Sequence, residues 1–596
     1  MRIESIIAGA VHRFFIEKSL PEPDSSLIQL QKTRREFVGD ITLVVFTLSR
    51  FIKKSPQEAA EVLGIYLKEL KEIDDFNVVK GFLNLVVEPS YWIGFVNRYH
   101  TDNNYGLPEA PLDKETVLVE FSSPNTNKPL HLGHVRNNLL GISISRILEA
   151  NGKNVKKVNL VNDRGIHICK TMLAWQKWGE NRTPEDAGVK GDHYVGDLYV
   201  KFETAYRAEI QELVEKGMGE EEARKEASLI KEAQEMLRKW EADDPAVTYL
   251  WKMMNGWVYE GFDVTYERMG VTFDRIYYES ETYHTGKLIV EEGLKKSILK
   301  RKKDGSVWAD LTHRGLDEKL LLRSDGTSVY ITQDLGTAVL RQADYNADRM
   351  YYVVGNEQDY HFKVLSLILD ELGYKWAGSL EHISYGMVEL PSGKMKSREG
   401  KVVDADNLID EMIQTAGRLS AELGKLDGLA DKEREDIIKT IGMGALKYFI
   451  LKVDPRKNMI FNPEESIDFN GNTGPFIQYT HARICSLLKN AFQLGIIVTD
   501  TMKNGFPLSE KETRLAVLLH EYPEVVTESG NNCSPALIAN YVFELAKEFN
   551  QFYHDHPVIK EPDPVVREFR LKLTGMTGMV IKNSMELLGI TVPEKM

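Results

Sequence analysis

The sequence predicts an α/β protein built on a parallel sheet, with a smaller α/β unit before it and an all-helical region after it. Three observations carry this. Strand, helix and strand patterns follow one another between residues 116 and 161. A second strand–helix–strand run occupies 350–390. From about Asp404 onward the patterning is helical to the end. Strands joined through a helix at this spacing form βαβ units, which imply a parallel sheet.

Residues 1–110 read as the first unit. Leu43, Val44, Phe46, Leu48 and Phe51 suggest a helix, and Val78, Val79, Phe82, Leu83, Leu85 and Val86 suggest strand material broken by Gly81. The linker Gly106-Leu107-Pro108-Glu109-Ala110-Pro111 marks a boundary. The central domain then spans 111–400. It opens with the buried strand Val117-Leu118-Val119-Glu120-Phe121, a polar loop with two prolines, a helix over 133–151 and a strand over 155–161. Charged helices over about 180–270 form an insertion, and the run 220–240 reads as one helix with a solvated face. Met350-Tyr351-Tyr352-Val353-Val354 is a strand ending at Gly355, a helix covers 360–372, and 382–390 is a further strand closed by Pro391-Ser392-Gly393. Residues 401–454 connect helically to an all-helical domain over 455–596.

Composition sets outer limits. Among 596 residues, 42% are hydrophobic, ample for buried cores. No apolar run reaches the roughly 18 residues a membrane span needs. Met1-Arg2-Ile3-Glu4-Ser5 has no signal-peptide character, and Cys169, Cys485 and Cys533 form no disulfide framework. The expectation is a cytoplasmic protein. A net charge of −14 argues mildly against a nucleic-acid partner, yet basic patches can persist within an acidic total. Motifs must decide.

The first motif is His131-Leu132-Gly133-His134 at a helix start after a strand. A helix N-terminus offers free N–H groups to phosphate, and Gly133 lets a flat ring approach the backbone. Imidazole donors can stabilise charge developing on an α-phosphate. The second is Lys394-Met395-Lys396-Ser397-Arg398-Glu399-Gly400, where clustered cations suit a polyphosphate, although alone they equally suit a solvated loop. A third group supplies acceptors for a planar cationic fork: Glu120, Tyr330, Asp334 and Gln358, expected at the C-terminal ends of sheet strands.

The first two motifs resemble the HIGH and KMSKS signatures of the class I aminoacyl-tRNA synthetases, here written HLGH and KMKSR. The fourth position of the second signature is Ser397, with Arg398 next, where most class I members have lysine. Many arginine-specific members instead carry a lysine just before the first signature, and Lys128 stands there. The segments around Glu120, Tyr330 and Gln358 look like the arginine-binding segments of arginyl-tRNA synthetases. The resemblance implies a Rossmann-type catalytic domain. Its ATP site would comprise Lys128, His131, Gly133, His134, Met387, Val388, Lys394, Lys396, Ser397 and Arg398. Of these, His131, His134, Lys128, Lys394 and Lys396 would be catalytic. Tyr330 and Asp334 would bind the guanidinium, and Glu120, Ser122, Asn125, His134 and Gln358 the rest of arginine.

The resemblance extends outward. Gly474-Pro475-Phe476-Ile477-Gln478-Tyr479-Thr480-His481-Ala482-Arg483 is similar to the helix opening of the family's anticodon-binding domain, which makes Phe476, Tyr479 and Arg483 expected tRNA contacts. Helical core packing explains those aromatics equally well on physics alone. Gly444-Ala445-Leu446-Lys447 and the ending Pro593-Glu594-Lys595-Met596 also match in kind. Phe37-Val38-Gly39-Asp40 and Gly81-Phe82-Leu83-Asn84 resemble the extra N-terminal domain that touches the tRNA elbow, implicating Phe82 and Asn84. One departure is Asn162-Asp163-Arg164-Gly165, where most members have tryptophan in place of Arg164. The family reading implies ATP with Mg2+ as substrate complex, no protein-ligated metal, arginine and tRNA(Arg) as partners, and a monomer that needs tRNA before it activates arginine. The rivals are a synthetase for another amino acid, a small-molecule nucleotidyltransferase and a non-catalytic tRNA-binding paralogue.

Overall fold

The computed structural model describes residues 2–34, 36–107, 114–389, 391, 403–422, 430–499 and 505–596. The N-terminal unit is an antiparallel sheet of β1 (Gln29–Lys32), β2 (Ile41–Val44), β3 (Ile73–Val79) and β4 (Phe82–Val87), in the order β1-β2-β4-β3. The helix expected around 43–51 is therefore strand first and helix second. Ile41 to Val44 pair with Leu85 to Phe82, and only Leu48–Ile52 turns helical. Cross-strand pairing on a half-buried sheet outweighs the local apolar spacing.

The centre is a five-stranded sheet formed by β5 (Thr116–Glu120), β6 (Asn154–Val161), β7 (Arg275–Tyr278), β11 (Arg349–Gly355) and β12 (Leu380–Tyr385). Its order is β12-β11-β5-β6-β7, and every pairing is parallel. Val117, Leu118 and Val119 are buried because helices cover both faces. After β5 the chain moves to one side, through the helix Leu132–Ala150, and returns later to the other side as β11. Such a reversal opens a crevice at the C-terminal strand ends, here beyond Glu120 and Gly355.

Between β7 and β11 lies a small antiparallel sheet of β8 (Leu299–Arg301), β9 (Val307–Ala309) and β10 (Lys319–Leu322). Its hydrophobic cluster includes Leu335 of the helix Tyr330–Tyr345 and Val290 of the helix Glu279–Lys295. The helical insertion is present, but the helix expected over 220–240 breaks into Glu220–Glu226 and Ser228–Glu241. Glu209 stops it by accepting the backbone N–H groups of Ser228 and Leu229. The strand expected over 382–390 also breaks. Gly386 lies against the backbone of Lys457, where a Cβ would come within 2.5 Å of a carbonyl carbon. Beyond it, β13 (Val388–Glu389) pairs with β14 (Met459–Ile460) instead.

The C-terminal helices Glu510–Asn531, Pro535–Asp555 and Pro564–Leu587 pack behind the helix Leu132–Ala150, and Gly474–Gln493 packs on the last two of them. Ser143 and Arg146 of that helix donate to the carbonyls of Leu587 and Glu586, each at 3.0 Å. Tyr105 of the N-terminal region donates to Leu519 at 3.0 Å, closing the three parts together. Among the described residues, no helix is long and apolar enough to cross a membrane.

Candidate active site

A cavity of about 1380 Å³ opens at the sheet crevice. It brings together Glu120, Asn125, Lys128, His131, Tyr330, Asp334 and Gln358, which lie far apart in sequence. The chain leaves β5 through a strained turn, with positive φ at Ser122 (81°) and Ser123 (45°). Asn137 and Asn159 hold it by accepting the N–H groups of Ser122 and Ser123. The turn sends the Ser122 hydroxyl to Tyr266, 2.7 Å away and outside the cavity lining, so Ser123 faces the cavity in its place.

The histidine motif caps its own helix. Gly133 donates its N–H to Nδ1 of His131 at 3.1 Å, and His131 donates its N–H to Nδ1 of His134 at 3.2 Å. The two ring centroids are 3.9 Å apart. A Cβ at residue 133 would meet the His131 ring at 2.9 Å, so here the glycine makes room for the imidazole itself. Burial, with nearby Lys128, pushes His131 down to about 4; His134 falls well below the ordinary histidine value, with His131 adding to the push. Burial alone lowers Lys128. His131 lines the cavity, whereas Gly133 and His134 stand behind it.

Residues 403–405 run antiparallel to the motif. Leu132 donates to Val403 and Ala405 to Leu130, each at 2.9 Å. Lys394, Lys396, Ser397 and Arg398 lie outside the described residues. Met387 and Val388 are described but do not line the cavity: the Met387 carbonyl accepts from Arg136, and Val388 is buried in β13.

The acid groups are arranged in two ways. Glu120 is buried, paired with buried Arg341, and accepts the Ser123 hydroxyl at 2.9 Å. Its charge is matched within the protein, which explains a carboxylate in an apolar strand. Tyr330 and Asp334 are not at strand ends as expected but in the opening turns of the helix Tyr330–Tyr345. Four residues apart, they share one helix face above the crevice. The Tyr330 ring is 78% exposed and stands at the mouth. Asp334 pairs with His361, Oδ2 to Nε2, at 2.6 Å.

The family model described as the class I (R) tRNA synthetase catalytic domain matches residues 100–463. Those for the arginyl-tRNA synthetase N-terminal domain and the DALR anticodon-binding domain match 1–87 and 477–596. An arginine–tRNA ligase of Bacteroides fragilis is 59% identical over 570 residues, 96% of each chain. One of Bacteroides thetaiotaomicron is 56% identical over the full length of both. This chain belongs to the arginyl-tRNA synthetases. The arginyl-tRNA synthetases of Thermus thermophilus and Plasmodium falciparum share its fold, each at a TM-score of 0.76, with 23% and 19% identity. Both comparisons cover all of this chain, with 100% and 98% of the other.

Three further residues of this arginyl-tRNA synthetase line the same cavity and were not found from sequence: Glu279, Gln333 and His361. Glu279 opens a helix directly after β7 and accepts from Gln333 at 2.6 Å. Burial pushes its carboxyl up to about 7, against the opposing pull of Arg164. The signal was present, since Tyr277-Tyr278-Glu279 is another carboxylate at a strand end, like Glu120.

The outer candidates fare unevenly. Asn84 is buried inside the N-terminal sheet, accepting from Thr42 at 2.7 Å and donating to Asn77 at 3.0 Å, which leaves its amide no reach toward RNA. Phe82 is half-buried edge-on to Phe46. Phe476 packs on Phe543 and lines a second cavity of about 410 Å³ with Lys511, Lys547 and Asn550. On the same helix, the Arg483 guanidinium lies 4.9 Å from the Tyr479 ring and bonds to Asn550.

Proposed function

We propose that this synthetase is an arginine–tRNA ligase that works in two steps within the main cavity. The arginine carboxylate attacks the α-phosphate of Mg-ATP in line, forming arginyl-adenylate and releasing pyrophosphate. The 2′-hydroxyl of the terminal adenosine of tRNA(Arg) then attacks the activated carbonyl, and AMP leaves. One observation carries this reading: His131, capped together with His134 at the helix start, lines the cavity that also holds Asp334 and Glu279.

No side-chain nucleophile takes part. Positioning and preorganised donors lower the barrier. His131 and His134 stabilise charge on the α-phosphate, and Lys128 holds phosphate oxygens from the cavity wall. Lys394, Lys396, Ser397 and Arg398 serve the leaving pyrophosphate. Val403, a few residues past them, bonds to Leu132 of the histidine motif, which supports this role. Asp334, Tyr330 and Glu279 take the guanidinium fork. Asn125, Gln358 and Glu120 orient the amino-acid end, with Ser123 rather than Ser122 beside them. The helix bearing Phe476, Tyr479 and Arg483 contacts the anticodon loop, and Phe82 the tRNA elbow. The working form is a cytoplasmic monomer, and arginine activation follows tRNA binding.

The test is amino-acid-dependent pyrophosphate exchange with tRNA(Arg) present and absent. Exchange with arginine alone among the amino acids, and only with tRNA, is the expected result. Exchange driven by glutamine or glutamate, or arginine exchange equally fast without tRNA, overturns it.

A further inference from the structure

Arg164 is built into the wall of the main cavity. Its side chain is 10% exposed. Nη2 reaches Glu241 at 3.1 Å, at the end of the inserted helix Ser228–Glu241. The guanidinium carbon lies 3.9 Å from the Tyr283 ring and 5.3 Å from Trp240. Its Nε has no hydrogen-bond partner among the described residues. The position is rigid. Asp163, one residue before, accepts the Ser280 N–H and hydroxyl at 2.9 and 2.7 Å and the Tyr259 hydroxyl at 3.0 Å, while its carbonyl accepts from Trp251 at 2.6 Å.

Those bonds fix Arg164 beside the first turns of the helix Glu279–Lys295. Glu279 begins that helix and Tyr283, under the guanidinium, is one turn on. Gln333 holds Oε1 of Glu279, and Asp334 follows in the same facing helix. We infer that Arg164 is a positioning residue for amino-acid recognition: caged by Glu241, Tyr283 and Trp240, its fixed guanidinium holds the charge on Glu279, which with Asp334 receives the substrate guanidinium. This rests on the proposed role of Glu279 and Asp334.

The physical need is plain. Two carboxylates in a half-buried wall repel each other, and the cheapest relief is to protonate one. A neutral acid is a poor partner for a guanidinium. The groups whose charge or hydrogen bond acts on Glu279 are Asp163 and Arg164 from the turn after β6, and Gln333 and Asp334 from the helix Tyr330–Tyr345, with His361 bonded to Asp334. Arg164 is the cation among them, and burial already holds Glu279 near 7. Removing Arg164 moves Glu279 further up, so its charge is lost at pH 7 and regained as pH rises.

The test compares Arg164→Met, Arg164→Lys, Glu279→Gln and the Arg164→Met/Glu279→Gln double variant in the full chain with tRNA(Arg). For Arg164→Met we expect KM for arginine at pH 7 to rise about fivefold, as a one-unit rise takes Glu279 from about half to about a tenth ionised, with kcat changed less than about threefold. By pH 9 the ratio to the parent falls below about threefold. The double variant matches Glu279→Gln, because a residue acting through Glu279 has nothing left to act on. Arg164→Lys stays within about threefold of the parent at pH 7, and carries the test if the methionine variant fails to fold. A loss equal at both pH values, a fall in kcat at unchanged KM, or additive effects in the double variant overturns the inference. An unchanged arginine KM in Glu279→Gln instead overturns the reading of Glu279 beneath it.

Discussion

His131 donates its backbone N–H to Nδ1 of His134 at 3.2 Å, and Gly133 closes the same pattern on His131. Both Nδ1 atoms accept, so each neutral ring carries its proton on Nε2. The pair is thus a set of uncharged donors fixed by the helix start. Replacing either histidine by alanine lowers kcat for adenylate formation by about 100-fold, with KM for arginine changed less than threefold. Pyrophosphate exchange under saturating ATP measures this. Because burial holds His131 near 4, protonation of these rings removes no activity between pH 8 and 6.

Lys128 stands in the cavity wall just before the histidine motif. Lys128→Met raises KM for ATP about tenfold or more, the cost of one charged hydrogen bond, and spares KM for arginine. Burial lowers the lysine's pKa, so ATP affinity in the parent declines with rising pH earlier than for an exposed lysine. Separate titrations of ATP and arginine check both statements.

His193 ties the helical insertion to the segment that follows the basic motif. Its Nε2 lies 3.2 Å from Asp404 and 3.5 Å from Asp406. Lys190 and Arg268 also reach Asp406, so this acidic cluster carries its own cations. The carboxylates of Asp404 and Asp406 beside it raise His193 to about 10. A raised folded pKa means stabilisation that is complete below the ordinary value near 6.5 and lost as pH climbs to 10. His193→Gln therefore lowers the melting midpoint by a few degrees at pH 6, and the gap from the parent closes towards pH 10. Melting curves across that range decide it.

Arg483 lies over Tyr479 on a helix that also bears Phe476. Arg483→Ala lowers kcat/KM for tRNA about tenfold, the loss of one stacked and charge-matched contact, without altering KM for ATP. Aminoacylation at varied tRNA concentration checks it.

Much of the centre was legible because apolar runs and punctuation agree there. Val117-Leu118-Val119, the prolines after it and the glycine of the histidine motif all point to strand, loop and helix. Local agreement was missing elsewhere. Leu43 to Phe51 has helical spacing, yet its pairing partners on β4 lie some forty residues away. Glu279 escaped notice because β7 is only four residues long, a short edge strand behind a long insertion. The Glu120–Arg341 pair spans 221 positions, so no sequence window shows why a carboxylate is tolerated in that strand. Alternation along the strand puts Asn84 on the face opposite the core residues Leu83 and Leu85, as its resemblance to a tRNA contact requires, but Thr42 and Asn77 on the neighbouring strands take up its amide and bury it.

The acid pocket beside the paired imidazoles is the central claim, and Asp334 is its most direct handle. Charging of total tRNA with each labelled amino acid, by the parent and by Asp334→Ala, tests it. The parent should charge arginine only, and the variant should show an arginine KM raised about 100-fold with KM for ATP unchanged. A variant that retains the parent's KM for arginine, and the same preference for it, would contradict the account.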